Sequence, residues 1–374
     1  MRQISNIFNL GIKELRSLWR DPMMLLLILY AFSLGIYLAA SGVPETLHKA
    51  AIAIVDEDQS QLSRRISSAF YPPYFTRPAM IGLDEVDPGL DAGRYTFGID
   101  LPLNLQRDVL AGRQPIIQLN VDATRMSQAF TGGGYIQQII HSEVGEFTNG
   151  TRVTSVSPAD LAIRVRFNPT LAQSWFGAVM EIINNVTMLS IVLTGAALIR
   201  EREHGTIEHL LVMPVTPFEI MASKVWAMGL VVLAACTFSL YVIVESVVGV
   251  PIEGSIPLFL VGAGLHLFAT TSMGIFMGTV ARSMPQFGLL LMLVLLPLML
   301  LSGGITPRES MPEIVQNLML AAPTTHFVKM AQAILYRGAG LDVVWPDFVA
   351  ILAIGAVFFS IALSRFRKTI GAMA

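Results

Sequence analysis

Six long apolar stretches mark the chain, at residues 22–40, 174–199, 217–248, 256–281, 286–301 and 346–363. About 20 mostly apolar residues are needed to cross roughly 30 Å of hydrocarbon, so each stretch predicts a membrane-spanning helix. The fifth is the shortest, and Pro297 inside it predicts a bend. Ahead of the first lies a different pattern. Ile4, Ile7, Phe8, Ile12, Leu15, Leu18 and Trp19 recur at helical spacing, while Arg2, Asn6, Asn9, Lys13, Arg16, Ser17 and Arg20 fall largely on the other face. A basic face opposite Phe and Trp suits a helix lying along a membrane surface; packing against other spans is the competing reading. Asp21 and Pro22 are then placed to cap and open the first span.

Residues 42–173 are more polar and alternate in type. Residues 50–56 read as a buried strand running into the acidic turn Asp56-Glu57-Asp58, followed by a helix over 59–70. Further strands are predicted at 95–100 and 116–122 with a helix over 103–111 between them, then a long helix over 128–147 and a last strand at 163–167. Gly132, Gly133 and Gly134 weaken the start of that long helix and would serve as a joint. Strand–helix alternation points to a small α/β domain with a mixed or parallel sheet. The expected fold is therefore a membrane all-α protein of six transmembrane helices with an inserted extracytoplasmic α/β domain. Its segments are a surface helix at 1–21, the first span at 22–41, the inserted domain at 42–173 and the remaining spans at 174–374.

Composition agrees with the membrane class. Hydrophobic residues make up 53% of 374, charged residues 14%, and the mean hydropathy is +0.60. A net charge of −2 implies no nucleic-acid partner. Cys236 is the single cysteine, which excludes an internal disulfide and suits a small buried apolar residue.

Charge distribution sets the expected orientation. With both termini on the cytoplasmic side, the inner segments hold eleven cations: Arg2, Lys13, Arg16, Arg20, Arg200, Arg202, Lys224, Arg282, Arg365, Arg367 and Lys368. The short outer segments then hold three, Arg308, Lys329 and Arg337. Both termini of this multi-pass membrane protein are therefore expected in the cytoplasm. The first span is expected to be an uncleaved anchor, despite the weak cleavage pattern at Ala39 and Ser41.

The stretch between the second and third spans is dense in start and stop signals. Arg200, Arg202 and His204 fall in the last turn of the second span, where cations favour the negative helix end, and Gly205 suits the left-handed position after it. Thr206 can cap a short helix with Ile207, Leu210 and Leu211 as its apolar face, which Pro214 ends. Thr216, Pro217 and Glu219 then form a capping box for the third span. A short two-faced helix between stiff joints, at about 206–213, suits docking of a partner better than a plain connection.

The run 198–220, LIREREHGTIEHLLVMPVTPFEI, resembles the coupling segment of bacterial ABC-2 type transporter permeases. The N-terminal helix is similar to that family's amphipathic elbow helix. The runs 302–312, SGGITPRESMP, and 322–328, APTTHFV, are similar to its segment after the fifth span, where short helices dip into the outer leaflet over about 303–340. The resemblance covers nearly the whole chain. It implies a homodimer or heterodimer of permease subunits in the lipid bilayer, each meeting a cytoplasmic ABC ATPase through the elbow and coupling helices. Residue by residue, Glu201, Arg202, Glu203 and Gly205 match the coupling motif, with Ile207, Leu210 and Leu211 on the docking face. His204 stands where many relatives carry Arg or Lys, so the charge of that contact would follow pH. Ile4, Phe8, Leu15 and Trp19 fall in the elbow helix.

An ATP-driven transporter needs a phosphate-cradling loop, and GxxxxGK[ST] does not occur in this sequence. ATP is therefore expected on a separate polypeptide, with no cofactor in this chain and no catalytic or metal site. Within the spans, Glu181, Asn184 and Asn185 are candidates to line a substrate path for polar or cationic molecules, against plain interhelical hydrogen bonding. His266 and Glu245 read as structural and interfacial. The expected function is the permease subunit of an exporter of small, drug-like or amphipathic molecules, with a periplasmic adaptor as a further partner. The alternative is a membrane receptor whose α/β domain binds a ligand. It leaves the absence of a cytoplasmic output domain unexplained.

Overall fold

The computed structural model describes residues 2–41, 47, 49–122, 126–149, 173–203, 205, 214–304, 306 and 308–371. It divides into two compact units, Met1–Val43 with Val165–Ala374, and Pro44–Arg164.

In the first unit, six helices are long and apolar enough to cross a membrane: span 1 (Pro22–Ser41), span 2 (Trp175–Glu203), span 3 (Pro217–Val248), span 4 (Ile256–Val280), span 5 (Met284–Leu301) and span 6 (Leu341–Lys368). Their starts carry the expected chemistry. Asp21 accepts from the Met24 amide at 3.2 Å ahead of Pro22. Thr216 and Glu219 form the reciprocal box, with the Thr216 amide donating to Glu219 Oε2 at 2.6 Å and the Glu219 amide to Thr216 Oγ1 at 3.3 Å. Ser255 caps span 4 on the Leu258 amide at 3.3 Å. Pro297 lies inside a span 5 helix that runs unbroken from Met284 to Leu301.

Spans 2 and 4 form the centre, with 83% and 67% of their apolar windows buried against 17% for span 5. Apolar burial gives little drive in lipid, so small and hydroxylated residues do much of the joining. Ser190 Oγ donates to Thr270 Oγ1 at 2.6 Å, and Thr187 Oγ1 lies 2.9 Å from His266 Nε2. The His266 ring stacks on Phe327 with centroids 4.0 Å apart. Cys236 is free and buried. After span 5 come a single 3-10 turn, Arg308–Ser310, and two helices, Glu313–Met319 and Pro323–Leu335. The second packs Phe327, Met330, Ala331 and Ile334 into the same core as Phe259 and Ala263 of span 4. Two π-type segments interrupt regular winding, Ala31–Gly35 in span 1 and Ser239–Val248 in span 3.

The second unit is a four-stranded sheet in the order β2-β1-β3-β4, from β1 (Ile52–Asp56), β2 (Ala79–Met80), β3 (Phe97–Leu101) and β4 (Gln118–Val121). β1 runs parallel to β2 and β3, and β4 is antiparallel, with Ile54 opposite Ile99 and Ile99 opposite Leu119. β1 is buried on both faces, as a strand under helices should be. Leu62 and Ile66 of helix Gln61–Ser68 and Ile136 of helix Met126–Asn149 close the core over Phe75 and Phe97. Arg65 joins these two helices through Glu143 at 2.5 Å and Glu146 at 2.7 Å. The acidic turn is sewn in: Asp56 accepts from Ser63 Oγ at 2.9 Å, and Asp58 from the Gln106 amide at 3.0 Å. The three glycines expected to form a joint lie inside a continuous helix, held down by Ile136, Ile140 and Val144 on its sheet-facing side. The strand expected at 163–167 lies outside the described residues.

Candidate functional site: a charge cluster at one end of the spans

Lys224 sits two turns into span 3, a largely apolar helix whose first-turn acidic residue, Glu219, is engaged by Thr216 and Asn6. It is 1% exposed, and burying a lone cation costs several kcal/mol. Two carboxylates meet it there. Its Nζ lies 3.0 Å from Glu14 Oε1 of the N-terminal helix and 2.8 Å from Glu201 Oε2 at the end of span 2. Glu201 takes a second cation, Lys13, at 2.7 Å. One small knot of four charges thus joins the N-terminal helix, span 2 and span 3.

Its neighbours extend the grip. Arg200 donates to Asp21, so the residue that caps span 1 also anchors span 2. Arg202 donates to the Ala281 carbonyl at the end of span 4. Glu203 accepts from the Met284 amide at 3.0 Å, which satisfies one of the orphan N–H groups opening span 5. Gly205 follows at φ +68°, a backbone conformation that costs glycine nothing, and the helix stops. Ile207, Leu210 and Leu211, the expected docking face, lie outside the described residues, as does the whole segment 206–213. A cavity of about 320 Å³ opens beside the knot, lined in part by Lys13, Glu14, Arg200 and Glu201.

The N-terminal helix, Arg2–Trp19, has three faces. Gly11, Glu14 and Leu18 are buried against the protein, with Ile7 and Leu10 half-buried beside them. A Cβ on Gly11 would lie 2.0 Å from Cζ2 of the Trp226 indole, so only glycine lets the two helices approach this closely. Trp226 Nε1 donates to the Ile7 carbonyl at 3.1 Å, and its ring is parallel to Phe8 at 5.8 Å. Asn6 Nδ2 donates to Glu219 Oε1 at 3.2 Å. The second face turns outward: Ile4 is 74% and Trp19 79% exposed, Phe8 is exposed, and Leu15 is half-buried. The third face carries the basic side chains. An apolar stripe open to the surroundings beside a basic one suits contact with lipid.

The residues expected to line a path do not share one environment. Glu181 and Asn184 are half-buried. Asn185 is buried, and its Nδ2 donates to the Ala31 carbonyl at 2.8 Å, where span 1 starts its wide turn. It therefore cross-links two helices. Glu245 is exposed.

Sequence reasoning counted Lys224 as an inner-segment cation and did not single out Glu14. The signal was present: a lysine seven residues into an apolar helix needs a buried carboxylate, and Glu14 is the acidic residue among the first twenty.

Comparison with known proteins places these features in context. The profile described as ABC-2 family transporter protein matches residues 22–364. The inner membrane transport permease YhhJ of Escherichia coli (strain K12) is 66% identical over 374 residues, covering 100% of both chains. The probable multidrug ABC transporter permease YbhR of the same strain is 27% identical over 364 residues, 96% of this chain and 97% of that one. The probable multidrug ABC transporter permease YbhS, also of Escherichia coli (strain K12), is 26% identical over 368 residues, 94% of this chain and 93% of that one.

Proposed function

We propose that this chain, which belongs to the ABC-2 family of transporter proteins, is the membrane-spanning permease subunit of an exporter driven by a separate cytoplasmic ABC ATPase. A multi-pass protein of the inner membrane is what six apolar helices and the resemblance to YhhJ support. The observation that carries the reading is the knot of Lys13, Glu14, Glu201 and Lys224. It fastens the N-terminal helix to the part of span 2 that runs into the coupling segment, so a push on that segment reaches three helices at once. ATP binding on the ATPase would move the coupling segment, and the spans would pass between inward and outward openings, a two-state element biased by a ligand.

Both termini and the charge knot lie on the cytoplasmic side in this reading, and the α/β unit Pro44–Arg164 is extracytoplasmic, because the positive charges favour that orientation. Two permease subunits, alike or different, complete the pore, and a periplasmic adaptor docks on the α/β unit. The cargo is a small amphipathic or drug-like molecule, which the multidrug names of YbhR and YbhS support. Glu181 and Asn184 touch the cargo, and Asn185 holds the wall they stand on. The receptor alternative is set aside, since the matched family is one of transporters.

Purification of the full chain in detergent from its native host, with identification of what co-purifies, tests the core of this. An ATPase retained by the wild type and lost on Glu201→Lys supports it. Unchanged retention, together with full ATP-driven transport by Glu201→Lys, overturns the coupling assignment.

A further inference from the structure

A second polar site lies at the other end of the spans. Phe176, on its wall, precedes Glu201 by 25 residues of one continuous helix, about 37 Å at 1.5 Å per residue. The cavity holds about 490 Å³, a size typical of small-ligand sites. Its wall carries three permanent cations, Arg308, Lys329 and Arg337, against two carboxylates, Glu309 and Asp347. One carboxylate is already committed: Asp347, 4% exposed, meets His326 Nδ1 at 3.1 Å and Lys329 Nζ at 3.1 Å. Glu309 is exposed at the rim.

What remains is short of an acceptor. Arg308 Nε is withdrawn from solvent with no partner among the described residues, and neither Arg308 nor Arg337 has an ion pair there. Thr325, 6% exposed, lines the same cavity with Oγ1 unpartnered among the described residues. Arg308 and Arg337 thus bring two guanidinium groups to the wall of one cavity with no ion pair among the described residues, and an anionic ligand would supply the acceptor they lack. Arginine in particular favours a planar or tetrahedral oxyanion.

We infer that this cavity binds a phosphate-type oxyanion, held by the guanidinium groups of Arg308 and Arg337 on its wall. The same chemistry is offered by an anionic lipid headgroup and by a free phosphate in solution. Binding is independent of ATP and of the transport reading, so each can fail without the other.

The test uses the full chain in a maltoside detergent, which carries no phosphate. Thermal unfolding and native mass spectrometry are followed with phosphatidylglycerol, with inorganic phosphate, and with diacylglycerol as the phosphate-free control. Wild type is expected to be stabilised by phosphatidylglycerol beyond the diacylglycerol control, or by inorganic phosphate, with affinity about tenfold weaker in Arg308→Gln, the loss of one charge-assisted bond. Stabilisation by the lipid alone identifies a headgroup; stabilisation by both identifies a soluble anion. Arg337→Gln, at an exposed position, supplies the comparison where Arg308→Gln fails to fold. Equal responses of wild type and variants, or no response beyond diacylglycerol, overturn the inference.

Discussion

Lys224 Nζ and Glu201 Oε2 lie 2.8 Å apart, joining the second turn of span 3 to the last turn of span 2, with the lysine almost wholly withdrawn from solvent. Removing one member of such a pair leaves the other charged and buried, which typically costs about 3–5 kcal/mol, while replacing all members together leaves no buried charge and, where the new side chains pack well, is often close to neutral. Lys224→Met is therefore expected to lower unfolding stability by about that amount, and Glu14→Gln with Glu201→Gln in the same chain to recover most of it. Unfolding in detergent, read as a mutant cycle, checks both parts.

The contact between Gly11 and Trp226 gives a steric test. Gly11→Ala puts a methyl where the indole already lies, so the N-terminal helix must lift or Trp226 must turn. Overpacking of this kind costs about 1–3 kcal/mol. The emission of Trp226 is expected to shift as its bond to the Ile7 carbonyl is lost. The chain has four tryptophans, so the spectrum is compared with that of a Trp226→Phe control.

Glu181 and Asn185 stand four residues apart on span 2 and are expected to fail differently. Asn185→Ala removes the donor to the Ala31 carbonyl and should lower stability by about 0.6 kcal/mol, the average for interhelical hydrogen bonds in membranes, and by about 1.7 kcal/mol at most. Glu181→Gln should leave stability almost unchanged and alter the rate or the range of molecules exported. Parallel unfolding and vesicle transport measurements separate the two; a stability loss on Glu181→Gln equal to that of Asn185→Ala would make both structural.

Much of the membrane unit was legible because its signals are local. Hydropathy places six long helices within a few residues of where they fall. The caps at Asp21 and Thr216 and the left-handed turn at Gly205 follow from neighbouring residues alone. In the α/β unit, β1, β3, β4 and their helices follow the apolar alternation, whereas the two-residue β2 is too short to carry a pattern. The charge knot was not legible in the same way. Glu14 and Lys224 are 210 residues apart, and nothing local says which acid meets which base. The amphipathic stripe of the N-terminal helix was visible, but its division into a protein-facing and an open apolar face depends on Trp226, far along the chain. The cavity around Asp347 is assembled from three segments after span 5 and one end of span 2, so the arginines on its wall come together only once the fold is made.

Arg202 holds the last carbonyl after span 4, while its neighbour Glu203 holds the first amide of span 5. The hairpin bend between those two spans is therefore pinched from both sides by adjacent residues of a third. Sliding span 2 lengthwise would load both holds together, because both start from its last turn. Were span 2 to be pushed along its axis in the proposed transport cycle, these two holds would make the bend a yoke that turns one rod's stroke into a shared stroke of three.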